Sequence, residues 1–468
     1  MKTKCLVMLT LLAFTSARGL ADADANAPGP LPDWLTRPLP LAEALNLAEQ
    51  HNATILKAKK DLAATAGVAI QTRALVVPKV QAASSYQAVD PNSLDVIPLA
   101  NLSFPGQPPF SLVYADQTWS ANVQLVQSIY EGGKLTSALR TARLLNEQAV
   151  LRYEATLADT LTDVRVAYAD ILLAARQIEV QQASVNLLAK ELDDTRRRFD
   201  AGTVPRFNVL RAEVELANAR PRLIRAQNDS RIAKNNLANL LGYNLPREVW
   251  EDIPLRLSDK LAATPLAVDL PAAIEQALKK RPELGALRKE EALRGEAVIN
   301  AKAGYKPRVQ LFGGYEAHNF QFSTDLTDQR HGWLAGAQMS WDIFDGLLTK
   351  GKVEEANALR GKARYDLEDT TRRIELEVRS RYSQLVEARQ VLEAQQKVQE
   401  EAEEALRLAT ARAEAGTATQ LDVLNAQTSL TEARSIQAQA LRDYVVAVAR
   451  MERATGAGFQ VMDSAAAN

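Results

Sequence analysis

The sequence predicts a mainly helical chain with a small β part, in which a strand hairpin and a pair of long coiled-coil helices occur twice. Three observations carry this reading. The 468-residue chain repeats itself, its helical stretches hold seven-residue apolar repeats, and short segments between them alternate with a period of two. Leu41-Ala-Glu-Ala-Leu-Asn-Leu-Ala matches Leu270-Pro-Ala-Ala-Ile-Glu-Gln-Ala at an offset of 229, and Pro78-Lys-Val matches Pro307-Arg-Val at the same offset. From Trp119 the offset is 214: Trp119 pairs with Trp333, Gln124 with Gln338, Gly132 with Gly346, and Gly202-Thr203 with Gly416-Thr417. The difference of 15 is a longer insert in the first copy between residues 88 and 117. Pro91, Pro98, Pro105, Pro108 and Pro109 make that insert a loop.

In chain order, residues 1–21 read as a secretory signal. Lys2 and Lys4 precede the apolar run Leu6–Phe14, and Ala17, Gly19 and Ala21 are candidate cleavage positions. The apolar run is too short for a membrane anchor. Residues 22–40 form an N-terminal extension, 41–242 a first structural repeat, 243–269 a proline-containing linker, 270–456 a second repeat and 457–468 a tail. Lys and Arg number 56 against 57 Asp and Glu, and removing the signal leaves 53 against 57. That balance suggests no nucleic-acid partner. Cys5 is the sole cysteine and lies in the signal, so the rest of the chain offers no disulfide and no thiolate metal site. No later run of about 20 apolar residues follows, so any membrane insertion has to use strands.

The strands are expected at 79–89, 117–130, 308–318 and 332–344. Trp119, Ala121, Val123 and Leu125 alternate with Ser120, Asn122 and Gln124. In the second copy Trp333, Ala335, Ala337, Met339, Trp341 and Ile343 alternate with Gly336, Gln338, Ser340 and Asp342. The partner strands alternate more weakly, with Val80, Ala82 and Tyr86 in one and Val309, Leu311 and Tyr315 in the other. Period two over about ten residues with aromatics near the ends fits an outer-membrane barrel strand. It also fits an ordinary half-buried antiparallel sheet.

The helices carry heptads. Val164, Ile171, Ile178, Val185, Leu192 and Phe199 recur every seven residues, as do Val378, Leu385, Leu392, Gln399, Leu406 and Ala413. Beyond the Gly-Thr turns, alanine seams run through Ala212, Ala219, Ala226 and Ala233, and through Ala426, Ala433, Ala440, Ala447 and Ala454. A sustained seven-residue repeat predicts left-handed supercoiling, and alanine lets axes approach closely. Gly202 and Gly416 fit helix C-caps, Thr417-x-x-Gln420 reads as a capping box, and Pro205 falls in a helix first turn. One helix over residues 347–414 would be about 100 Å long.

Four strands cannot close a barrel, and open sheet edges do not survive in lipid. Strands in a membrane would therefore have to be pooled from several chains.

The order and duplication of these pieces resemble the TolC-type outer membrane efflux proteins over nearly all of residues 41–456. The matching pieces are Tyr305-Lys-Pro-Arg-Val before a strand, Trp341-Asp-Ile-Phe-Asp-Gly at a strand exit, and the turns Phe199-Asp-Ala-Gly-Thr-Val and Ala413-Glu-Ala-Gly-Thr-Ala. The stretch Gly416-Thr-Ala-Thr-Gln-Leu-Asp-Val-Leu-Asn-Ala-Gln is the nearest match. The resemblance implies a homotrimer in which a twelve-stranded β-barrel continues into an α-helical periplasmic tunnel. It implies an exit duct of a tripartite efflux or type I secretion system in the outer membrane of a Gram-negative bacterium, contacting outer membrane lipid. A periplasmic adaptor and an inner-membrane pump dock below it. It implies no catalysis, cofactor or metal.

By the same resemblance, Asp422, Asn425 and Asn208 stand at a periplasmic gate; Asp422 and Asn425 are three residues apart on one helix face, with Asn425 where the family has a second acidic residue. Gly202, Thr203, Gly416 and Thr417 form the adaptor-docking turns. The family's gate latch falls on Ala418, Ala413 and Asn208, residues that cannot make it, and Arg206, Arg211 and Arg412 are candidate substitutes.

Other motifs carry less. Gly346-Leu-Leu-Thr-Lys-Gly351-Lys352-Val353 fits the start of a phosphate loop, but Val353 stands where a magnesium-binding hydroxyl belongs. Arg196–Arg198 read as a solvated helix face. His318 and His331 lack further metal ligands. The competing reading is a soluble periplasmic coiled-coil adaptor, which explains the signal and heptads but not two sets of apolar-faced strands.

Overall fold

The computed structural model describes residues 33–94, 96–98, 111–243, 252–322 and 325–456. The signal, most of the N-terminal extension, much of the proline-rich insert, part of the linker and the tail lie outside these residues. The chain begins with α1 (Asp33–Thr36), β1 (Pro38–Leu39), α2 (Leu41–His51) and α3 (Ala53–Arg73). There follow β2 (Lys79–Ala88), β3 (Val96–Pro98), β4 (Ser111–Val113) and β5 (Gln117–Glu131), then the long helices α4 (Lys134–Asp200) and α5 (Arg206–Leu240). After β6 (Arg256–Leu257) come α6 (Leu270–Lys280), α7 (Pro282–Lys302), β7 (Arg308–Asn319), β8 (Gln329–Ser340), α8 (Leu348–Glu414) and α9 (Gln420–Thr455).

Helices α4 and α8 are each 67 residues, about 100 Å at 1.5 Å per residue. Each folds back along its successor, so α4/α5 and α8/α9 are antiparallel hairpins, and α4 also packs on α2, α3, α7 and α9. Their apolar seams bury Val164, Ile171 and Leu192 in α4, and Val378, Leu385 and Leu392 in α8. The facing helices supply Ala212, Ala219 and Ala226 in α5, and Ala433, Ala440 and Ala454 in α9. The seven-residue spacing keeps these residues on the hairpin seam over several turns.

Each copy opens with two short helices, α2 and α3 in the first and α6 and α7 in the second. The first break falls at Asn52, whose extended backbone (ψ 126°) frees its side chain to cap α3, accepting from the N–H groups of Thr54 and Ile55. The Asn52 Nδ2 donates to the Leu240 carbonyl at 2.8 Å, pinning the break to the end of α5. The second falls at Arg281 (ψ 122°), because Pro282 bars the residue before it from helical geometry.

A smaller core around Leu192, Ala212 and Leu216 lies between α4 and α5, and the two larger cores sit at these breaks. One gathers α1, α2, mid-α4, the end of α5 and residues 253–257 around Leu35, Leu39, Val164 and Leu237. The other gathers α6, the start of α7, mid-α8 and the end of α9 around Leu284, Val378, Tyr444 and Met451. Helices α5 and α9 end on Gly242 and Gly456, both left-handed (φ +78° and +65°). Each glycine abuts a break: a Cβ on Gly242 would lie 2.3 Å from the His51 carbonyl oxygen, and one on Gly456 3.2 Å from the Arg281 nitrogen.

Strands β2, β5, β7 and β8 form one four-stranded sheet in that order, antiparallel throughout. The fourth strand departs from the expected 332–344, running Gln329–Ser340. Trp341 and Ile343 continue the apolar alternation but have left the sheet. The Trp341 indole N–H donates to the Tyr305 carbonyl at 3.2 Å, holding the chain at the bend into α8. That bend contains Leu347 at φ +71°, where the first copy has Gly133. The Gly346–Val353 stretch is this bend and the first turn of α8. No helix of the described residues is long and apolar enough to cross a membrane.

Candidate functional site

Two regions stand out: the strand wall and the far tips of the helical hairpins. In the wall, the register puts the alternating apolar sets of the four strands on one face, while Val126, Phe312 and Leu334 lie on the other. The row Ala82–Val123–Tyr315–Trp333 crosses all four strands, flanked by Tyr86–Trp119 and by Leu311–Ala337 and Val309–Met339. The opposite face carries Ala83–Asn122–Glu316–Gly332 and Ser85–Ser120–His318–Arg330. The apolar face is bare: Trp333 is 80% exposed, Met339 69% and Val80 66%. Single exposed apolar side chains are ordinary, but a continuous sheet face of them marks contact with another apolar phase.

The twelve residues of β7 and of β8 each extend about 40 Å, or about 30 Å at the tilt of barrel strands. That matches the hydrocarbon thickness of a bilayer. Among the described residues, the outer edges of β2 and β8 have no partner strand in the sheet. Because the four strands alternate in direction, the edge strands β2 and β8 run antiparallel to each other.

At the tips, both turns have the same construction. Gly202 and Gly416 take left-handed backbones (φ +73° and +75°) and donate to the carbonyls of Phe199 and Ala413. Thr203 and Thr417 donate N–H to the carbonyls of Arg198 and Arg412, and their hydroxyls donate to the same oxygens at 2.9 and 3.1 Å. This is a Schellman closure with a threonine brace. Nothing lies within 4 Å of a Cβ built on either glycine, so both turns are open surface.

The structure corrects two local readings. Thr417 is not the N-cap of α9, because its N–H and hydroxyl both serve the Arg412 carbonyl. The capping box is Thr419–Asp422: Thr419 Oγ1 accepts from the Asp422 N–H, and Asp422 Oδ2 accepts from the Thr419 N–H at 2.8 Å and hydroxyl at 2.7 Å. Pro205 is the residue just before the first turn of α5, not within it.

Asp422 therefore sits exposed in the first turn of α9, with Asn425 exposed one turn on. Its hydrogen bonds from Thr419, with help from the Arg412 charge, hold its carboxyl below the usual aspartate range. Asn208 is half-buried in the first turn of α5, with its N–H on the Pro205 carbonyl. The bond between hairpins at this level comes from Gln420, whose Nε2 donates to Glu191 Oε1 at 2.9 Å and to the Thr195 hydroxyl. The Thr417-x-x-Gln420 pattern assigns Gln420 to a cap, and nothing local reveals its reach to α4.

A chain of charges follows the α4–α9 contact toward the cores. Arg442 pairs with Asp170 at 2.6 Å, Arg165 with Glu452, and Arg453 with Asp159 at 2.7 Å and with Glu283. Glu283 also binds Arg281, which reaches Glu377. Burial opposes the charge on Glu283, yet the hydrogen bonds from Arg281 and Arg453 prevail and hold its carboxyl at about 2.

Against known proteins, the family described as "Outer membrane efflux protein" matches residues 44–243 and 273–457. The chain is 23% identical to outer membrane protein TolC of Vibrio cholerae, over 89% of this chain and 90% of that one. It is 25% identical to the cobalt-zinc-cadmium resistance protein CzcC of Cupriavidus metallidurans, over 85% of each. Among solved structures it shares its fold with the outer membrane protein VceC from Vibrio cholerae, with a TM-score of 0.71, 20% identity, and coverage of 90% of this chain and 97% of that one.

Proposed function

The chain belongs to the outer membrane efflux protein family, and from that premise we propose that three copies pool their sheets into a twelve-stranded barrel from which the helical hairpins hang as a periplasmic tunnel. The protein is an outer membrane efflux channel. What carries the trimeric reading is the strand wall: one bare apolar face, one polar face and two unpaired edges. A lone four-stranded sheet would leave those edges unsatisfied in lipid. Closing β8 onto β2 of the next copy as β5 closes onto β7 sets Ala337 against Tyr86, the counterparts of Val123 and Tyr315. That keeps both on the apolar face.

In this reading the lower end docks a periplasmic adaptor through Gly202, Thr203, Gly416 and Thr417, and an inner-membrane pump drives substrate into the tunnel. Asp422, Asn425 and Asn208 line the narrow periplasmic end, and the duct itself conducts without covalent chemistry. Conductance in planar bilayers tests the channel. Cation-selective steps support it, and recovery of the protein from the soluble periplasm without detergent would favour the scaffold reading instead.

Two substitutions probe the sites. Asp422→Asn should lower cation selectivity, because three carboxylates at one constriction attract cations. Unchanged selectivity in Asp422→Asn would remove Asp422 from the pore. Gly202→Asp with Gly416→Asp places a charge on both open turns, and aspartate tolerates the left-handed backbone better than most residues. Drug or substrate export in cells should be lost while the barrel still assembles. Normal export would reject the docking role.

A further inference from the structure

The polar face of the sheet holds a small apolar island. Val126 of β5 stands opposite Phe312 of β7, Phe312 opposite Gly336 of β8, and Leu334 of β8 opposite Gly314 of β7. Phe312 and Leu334 are thus diagonal neighbours on one face, within reach of each other's side chains. The Phe312 ring lies down over Gly336: a Cβ built on that glycine would stand 2.7 Å from the ring's Cζ. The ring itself is half-buried, as are Val126 and Leu334. Together they make a low apolar shelf across three strands, with Gln81 and Gln124 in the next row.

The fold does not require this shelf, because the chain builds the same hairpin twice and only one has it. At the offsets of 229 and 214, the Phe312–Gly336 pair corresponds to Ala83–Asn122, and Gly314–Leu334 to Ser85–Ser120. Both first-hairpin pairs hold the equivalent register between β2 and β5. There all four positions are small or polar, and the Ser85 and Ser120 hydroxyls share a hydrogen bond of 2.8 Å. Barrel interiors are polar as a rule. Apolar residues on the inner face of one hairpin, absent from its twin, therefore mark a contact with something apolar that enters the lumen.

Charge narrows what that is. The row of Val126 and Phe312 ends on Lys79 of β2, two strands or about 10 Å from Phe312. Lys79 is exposed, with no ion-pair partner among the described residues. The other charges on this face of β7 are four residues, or about 13 Å, from Phe312: Glu316 in one direction and Arg308, tied to Asp342 at 3.1 Å, in the other. We propose that the shelf is a lumenal subsite for amphiphilic organic anions, with an apolar or aromatic body on Phe312, Leu334 and Val126 and a carboxylate or sulfonate on Lys79. The inference rests on the barrel reading above, which makes the polar face the lumen, and adds the class of molecule that the wall holds in passing. The shelf lies at the membrane end of the duct and Asp422 at the periplasmic end, so the two meet a passing molecule separately.

The photoreactive aromatic carboxylate 4-benzoylbenzoate tests the subsite on the full-length protein in phosphatidylcholine vesicles, where lipid covers the apolar face. After illumination, peptide mass spectrometry should place adducts on Val126, Phe312 or Leu334. The same benzophenone carrying a trimethylammonium group in place of the carboxylate should label these residues about threefold less, the worth of one solvated ion pair. Lys79→Gln should erase that preference, as should molar salt, while both probes still label the shelf. Phe312→Gln with Leu334→Gln should remove the adducts in protein of unchanged native mass. No adduct on the shelf of three-copy protein, or adducts as frequent on Ala83 and Ser120, would overturn the subsite. Equal labelling by the two probes would overturn the anionic class. A single-copy native mass would instead remove the barrel reading on which the inference stands.

Discussion

Gly242→Ala is expected to stop the protein from accumulating in the outer membrane, whereas Gly202→Ala, at nearly the same backbone angle, should be tolerated. Both glycines are left-handed, at φ +78° and +73°. An alanine in that region costs about 1–2 kcal/mol at either site. The sites differ in what the new methyl meets. At Gly202 nothing lies within 4 Å, while at Gly242 the methyl would stand 2.3 Å from the His51 carbonyl oxygen and 2.8 Å from its carbonyl carbon. Those atoms are backbone and close the α2–α3 break that Asn52 ties to α5. Relief requires parting α2 from α5 inside the core around Leu39 and Leu237, adding about 1–3 kcal/mol of overpacking. Gly456→Ala should fall between, since its nearest neighbours stand at 3.2 Å. Outer membrane yield and thermal unfolding of the three variants give the order Gly202, Gly456, Gly242 from mildest to most severe. Equal losses at Gly202 and Gly242 would mean that backbone strain alone acts.

How much of this was readable beforehand depends on how local each feature is. The strand faces were readable because alternation is local, and pairing by register then gathers Val80, Val123, Tyr315 and Trp333 on one side without further information. The end of β8 was not, since Trp341 and Ile343 extend the pattern and only the bond to Tyr305 draws the chain away. The helical tips were readable as glycine turns. The cap was misplaced because Thr417 and Thr419 look alike in sequence, and the carbonyl of Arg412, one turn back, decides which is free. The break at Arg281 had a local signal in Pro282, and that at Asn52 had one in a capping asparagine. Gln420, Arg281 and Arg453 had none. Their partners lie on other helices, 96 to 294 residues away for Arg281–Glu377 and Arg453–Asp159, and periodicity carries no record of contacts between faces that are both polar.

Arg453→Ala is expected to destabilise the assembled protein by about 3 kcal/mol, as when one partner of a buried ion pair is removed. Its side chain is 8% exposed and joins three helices, binding Asp159 of α4 and Glu283 of α7 from the last turn of α9. Without it, Asp159 turns to water, but Glu283 stays largely covered with Arg281 as its remaining partner. Arg453→Met should recover only the packing part of the loss, because a long apolar side chain refills the volume while Glu283 still loses the same cation. The penalty has a defined pH dependence. The folded carboxyl of Glu283 titrates at about 2 against an ordinary 4.5, so its pairing contributes fully above about 4.5 and is lost as pH falls from there toward 2. At pH 3 the unfolded chain has taken up the Glu283 proton, so the ion pairs keep only part of their advantage, and the gap between Arg453→Ala and the unsubstituted protein should narrow relative to pH 7. Thermal unfolding of both detergent-solubilised proteins at the two pH values measures this. An equal gap at both would assign the effect of Arg453 to packing and to Asp159, leaving Glu283 no part in holding the joint.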